Sequence, residues 1–68
     1  MTNITKRERD ILYLLAHEYT TDMIAGELYI SNHTVISHRK NLLEKMDVKN
    51  VAGLIRKAFE TSLLTFAS

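Results

Sequence analysis

The chain has no cysteine, no proline and no tryptophan, and only two glycines, Gly26 and Gly53. Without cysteine, neither a disulfide framework nor a thiolate metal site is available, which suits a reducing compartment or indifference to redox state. With almost no glycine or proline, tight hairpins have few places to form, so the pattern predicts helices joined by short turns. No apolar run approaches the ~20 residues needed to cross a bilayer. The opening Met-Thr-Asn-Ile-Thr-Lys-Arg-Glu lacks the apolar centre of a secretory signal. These absences point to a cytoplasmic protein without a membrane partner.

The 68 residues fit one domain, 1–68, with 1–4 and 66–68 read as tails. A chain this short buries only about 60% of the surface it exposes when unfolded, so its stability is expected to be roughly 3–10 kcal/mol. The net charge is only +1, but it is unevenly spread. Residues 1–30 hold three basic and five acidic residues (3 − 5 = −2), and residues 31–68 hold six and three (6 − 3 = +3). From Ser31 to Leu43 there is no carboxylate, while His33, His38, Arg39 and Lys40 are present. A local cationic segment of this kind is either an electrostatic footprint for phosphate or an ordinary solvated face.

The sequence predicts four helices, about 6–17, 21–28, 32–46 and 51–63, in an all-α fold. Thr5-Lys6-Arg7-Glu8 reads as a capping box, followed by Ile11, Leu14 and Leu15 on one face. Thr20 or Thr21 can cap a short second helix carrying Ile24, Ala25 and Leu28. Ser31 caps the third, whose inward stripe is Val35, Leu42 and Met46 with the stem of Arg39 alongside. Ile30 can staple against Val35. Asn50 caps the fourth, with Leu54, Ile55 and Ala58 inward and Val51 and Phe59 flanking. Leu63, Leu64 and Phe66 carry apolar material into the tail. The expected core is Ile11, Leu14, Leu15, Ile24, Leu28, Ile30, Val35, Leu42, Met46, Val48, Ile55 and Ala58. Tyr13 and Tyr19 are expected to be half-buried.

Two short helices and a longer one, with Ile24-Ala25-x-x-Leu28-x-Ile30-Ser31-x-x-Thr34-Val35, make a helix-turn-helix pattern. Ala25 lets the helices cross closely, and Leu28, Ile30 and Val35 lock their angle. Residues advance by 100° along a helix. With Val35 inward, His33, Ile36, Ser37, Lys40 and Glu44 therefore point outward, and Thr34, Asn41 and Lys45 lie on one flank. A mostly polar outward face suits a helix in a major groove, with bases ahead and phosphates beside.

The chain resembles the C-terminal DNA-binding domain of the LuxR/FixJ/NarL class of bacterial regulators. The matching residues are Thr5 through Leu12, Leu14-Leu15-Ala16, Ile24-Ala25, Leu28, Ile30-Ser31, Thr34-Val35, His38, Asn41, Lys45, Met46 and Val48. The resemblance implies a third helix that reads double-stranded DNA and a fourth that supports a homodimer, with RNA polymerase a further partner. It also implies service as the output domain of a two-component response regulator. By position, base contacts would come from Ile36, Ser37 and Lys40. Phosphate contacts would come from Thr20, Thr21, Thr34, His38, Asn41 and Lys45. The fourth helix has more apolar residues than one face needs, which favours Val51, Leu54, Phe59 and Leu63 as the dimer surface; the alternative for Leu54, Phe59 and Leu63 is a place in the core alone.

Three departures stand out. Glu18 replaces the glycine that usually ends the first helix, Ile36 replaces a usual Lys or Arg, and Val51-Ala52 replaces a usual polar pair. A left-handed Glu18 would carry about 1–2 kcal/mol of strain, so a different turn between the first two helices is the alternative. Ile36 is expected to pack on a thymine methyl. His38 has no second His or carboxylate at helical spacing, so no metal is expected, and nothing resembles a catalytic dyad, a cofactor site or a small-molecule pocket. The alternative function is a four-helix protein-interaction module that has lost DNA binding, favoured by the low net charge and by Ile36.

Overall fold

A computed structural model describes residues 3–64. Four helices run in order: α1 Lys6–Ala16, α2 Thr21–Leu28, α3 Asn32–Met46 and α4 Val51–Glu60, with no strand among the described residues. Each begins on a residue whose side chain accepts a backbone N–H two or three positions into the helix. Thr5 accepts from Glu8, Thr20 from Met23, Ser31 from Thr34 and Asn50 from Gly53. At α1 the box is complete, because the Glu8 carboxylate also accepts the Thr5 N–H at 3.0 Å.

The helix ends share a device that uses no glycine. Glu18, Tyr29, Asp47 and Ser62 all take the left-handed conformation, with φ between 55° and 65°. After the first three, the next N–H turns back to a carbonyl five residues earlier: Tyr19 to Leu14, Ile30 to Ala25 and Val48 to Leu43. These bonds satisfy carbonyls that a helix end leaves orphaned. The turn after α1 therefore keeps the left-handed geometry despite Glu18.

α3 is the hub and packs against all three other helices, while α1 also meets α2 and α4. Ile11, Leu12, Ile24, Val35, Leu42 and Leu54 are fully buried, and Ala25, Met46, Ala58 and Leu64 complete the centre. Leu14, Leu15, Leu28, Ile30, Val48 and Ile55, expected in the core, pack against it half-buried. Leu12, Ala25, Leu54 and Leu64 are buried beyond the expected core, Ala25 at the expected helix crossing and Leu54 on the expected inward stripe of the fourth helix. Leu12 sits beside Ile11 on a helix that packs against α2, α3 and α4. Leu54 lies one turn before Ala58 and points the same way.

Leu64 is inward because α4 stops at Glu60, three residues short of the expected end. The Thr61 hydroxyl donates to the Lys57 carbonyl at 3.0 Å, Ser62 turns left-handed, and the Leu64 N–H reaches the Ala58 carbonyl at 3.1 Å. Leu63 accordingly follows α4 instead of lying on it. Phe66 falls outside the described residues. At the other end Ile4 packs on the core and the Asn3 carbonyl accepts from Lys45, so residues 3 and 4 are part of the fold and not a tail. Tyr19 is half-buried as expected, but Tyr13 is 56% exposed, its ring meeting His17 one turn on at a 42° tilt.

Candidate nucleic-acid interface

The position of α3 follows from its two faces. Val35 and Leu42 are fully buried, whereas Ile36, one residue on from Val35, is 52% exposed. His33, Ser37, Lys40, Asn41 and Glu44 are exposed, and Thr34 and His38 are half-buried on the flanks. The outward stripe is thus free of the rest of the domain, and its one large apolar side chain has no shelter inside it. Burying an isoleucine is worth about 1.5–3 kcal/mol, so leaving it in water forfeits that gain unless something else covers it.

Three polar ties hold α3. At its start, the Ser31 hydroxyl accepts the Thr34 N–H at 3.1 Å and lies 2.8 Å from the Thr34 hydroxyl. The Asn32 amide there donates to Asp22 in the first turn of α2. In its middle, Arg39 donates from Nη1 to the Thr21 hydroxyl at 2.8 Å, so the side chain whose stem follows the inward stripe is a strut between α3 and the start of α2. Near its end, Lys45 donates from Nζ to Glu8 Oε1 at 2.7 Å and to the Asn3 carbonyl at 2.9 Å.

The last tie is unusual because Glu8 is only 3% exposed. Burial by itself would raise the pKa of this carboxyl. The Lys45 hydrogen bond and charge and the Thr5 amide and hydroxyl outweigh it, and the net shift is downward from the ordinary glutamate value. Glu8 therefore stays ionised as the local counter-charge to Lys45. The sequence reading had Glu8 as a cap and missed it as a partner, since the two residues are 37 positions apart and the capping pattern is satisfied without Lys45.

The residues expected to meet DNA fall into two groups. Ile36, Ser37, Lys40 and Asn41 share the outward, exposed side of α3, with Thr34 and His38 flanking. Thr20 and Thr21 sit at the start of α2, Thr20 as its cap and Thr21 under Arg39. Their hydroxyls accept inside the domain, and each keeps its own hydrogen to donate outward. Lys45 stands apart from both groups, because its ammonium is drawn to α1. On α4, Val51 and Phe59 are half-buried, and so is Leu63 beyond its end. Leu54 needs correcting: at 0% exposure it offers a partner no surface, because its side chain already fills the core on the same face as Ala58.

No group of His, Asp and Glu that could hold a metal ion occurs among the described residues. No described helix is long and apolar enough to cross a membrane.

A short α2, a left-handed turn at Tyr29 and a longer α3 presenting a free polar face define a helix-turn-helix domain. Residues 2–58 match the family of bacterial regulatory proteins of the luxR type, and the chain belongs to that family. It is a DNA-binding domain of the kind carried by transcriptional regulators and response regulators. It is 48% identical over 46 residues to the spore germination protein GerE of Bacillus subtilis, covering 68% of this chain and 62% of that protein. It is 44% identical over 57 residues to the transcriptional regulatory protein UhpA of Escherichia coli, covering 84% of this chain and 29% of UhpA.

Among solved structures, the response regulator ChrA of a heme-sensing two-component system superposes with a TM-score of 0.89 at 28% identity, over 94% of this chain and 32% of ChrA. The transcription factor GerE gives 0.87 at 33% identity, over 93% and 94% of the two chains. The chain thus spans about three-fifths of the GerE protein and under a third of UhpA.

Proposed function

We propose that the chain, as a single domain, binds double-stranded DNA sequence-specifically, with α3 in the major groove. The observation that carries this reading is the two-faced α3, exposed at Ile36, Ser37 and Lys40 and fully buried at Val35 and Leu42. Lys40 supplies a cation with the reach to hydrogen-bond guanine, Ser37 a short donor and acceptor, and Ile36 an apolar cap for a thymine methyl. Thr20, Thr21, Thr34, His38 and Asn41 take phosphate oxygens and set the register. Lys45 adds to them only by sharing its ammonium between a phosphate and Glu8.

Val51, Phe59 and Leu63 form the contact with a second copy, so that two α3 helices enter successive major grooves about 34 Å apart. The role is that of a cytoplasmic output domain controlling transcription with RNA polymerase as a further partner, and it requires no catalytic group.

The test is site selection from a random duplex pool, followed by Ile36→Lys. The wild type is expected to require thymine opposite Ile36. The variant is expected to prefer guanine there, a change in discrimination of about 1–3 kcal/mol. An equal gain in affinity for every sequence would show that Ile36 reads no base. Absence of any salt-sensitive duplex binding would leave the fold as a protein-interaction module.

A further inference from the structure

Three residues of the α1–α2 side break local rules in one place, and none of them is among the residues proposed to meet DNA. Gly26 stands in the interior of the eight-residue α2, where glycine is less favourable than alanine. Nothing requires it within the domain: its φ is not positive, and a β-carbon added there would meet no atom within 4 Å. Tyr29 takes a left-handed conformation that disfavours any side chain, yet its ring is 94% exposed. Met23 is 50% exposed. All three line one hollow. A second hollow, beside the 56% exposed Tyr13, adjoins it, and the two share Glu27. Three of the four exposed large apolar side chains among the described residues therefore lie on one continuous surface.

The charge of this surface selects the occupant. Asp10 and Asp22 are held by Arg7 and Asn32 respectively, while Glu27, between the hollows, has no hydrogen bond or ion pair among the described residues. Arg9 is the one cation lining the two hollows, against Asp10, Asp22 and Glu27, so the net charge is negative and disfavours DNA as occupant. A second copy is disfavoured because its cationic side, around Lys40, is the side committed to DNA. We propose that this face docks a protein partner through a helix that carries apolar residues with lysine or arginine beside them. Gly26 lets the partner backbone approach α2 closely, Met23 and Tyr29 bury against its apolar side, and Glu27 receives its cation. The inference goes beyond DNA binding, and its choice of a protein partner over a second copy rests on that reading.

The test uses an isotope-labelled chain titrated with an amphipathic helical peptide of leucine and lysine, read by amide chemical shifts. Saturable shifts are expected at Met23, Gly26, Glu27 and Tyr29. A leucine–glutamate peptide of the same pattern should leave them unmoved. Gly26→Gln fills the open space above α2 without touching the core, so it folds, and it is expected to weaken peptide binding about tenfold while leaving duplex affinity unchanged. Shifts centred on α4, an equal response to both peptides, or undiminished peptide affinity in Gly26→Gln would overturn the proposal. So would loss of duplex affinity in the variant, which would assign the face to DNA. Self-association of the chain that Gly26→Gln abolishes would overturn it too, by making a second copy the occupant.

Discussion

Two of the side-chain ties that brace α3 are built on opposite principles. Lys45–Glu8 joins α3 to α1 around a carboxylate whose side chain is 4% exposed. Arg39–Thr21 joins α3 to α2 through a neutral hydroxyl in a half-buried setting. The first takes a charge out of water, so breaking it leaves that charge stranded. The second costs little to break, but it leaves the rest of the guanidinium beside the start of α2, where the proposed phosphate contacts gather. One tie serves the fold, and the other stands at the border between fold and binding.

The sharpest way to separate them is Lys45→Met, which keeps the stem and deletes the charge. It is expected to cost about 3 kcal/mol at neutral pH, the lower end for a buried pair, because Lys45 itself is one-third exposed. Thermal or denaturant unfolding measures this. The pH dependence gives the tie its signature. The folded-state pKa of Glu8 is depressed, so its contribution is present above the ordinary glutamate value and is lost as pH falls through the depressed one. In the variant, Glu8 loses the lysine that offset its burial. The stability gap between wild type and Lys45→Met should therefore narrow in acid, and a gap independent of pH would show that lost packing, not charge, caused it.

Arg39→Ala is expected to cost only about 1 kcal/mol of stability while lowering duplex affinity and shallowing its salt dependence by nearly one counterion. Stability lost without any change in the salt slope would move Arg39 wholly to the structural side. The smallest effect is expected at Glu18→Gly, where the left-handed backbone is already in place and removing the side chain should stabilise by up to about 1 kcal/mol. A loss there would mean that the Glu18 side chain offsets its own strain.

What was legible in the sequence divides along the same line between local and distant causes. All four helix starts were readable, because Thr5, Thr20, Ser31 and Asn50 act on amides three residues away. The outward side of α3 followed from Val35 and a helical repeat. The end of α4 was not readable, because Ser62 turns left-handed without the glycine or proline that would signal a stop. That hidden turn also brings Leu64 back into the core. Leu54 was read both inward, with Ile55 and Ala58, and as part of a partner surface, because a ten-residue helix with apolar residues on several sides offers more of them than one face needs; its full burial leaves the inward reading. Lys45 looked like a free cation for the same kind of reason, since its partner lies on α1.

α3 touches every other helix, as α1 does too, so moving it would break packing against the whole domain. Its reading edge is a rigid template that exists whenever the chain is folded. On the proposed reading, control would act on access to that edge and on the pairing of copies more than on the shape of α3.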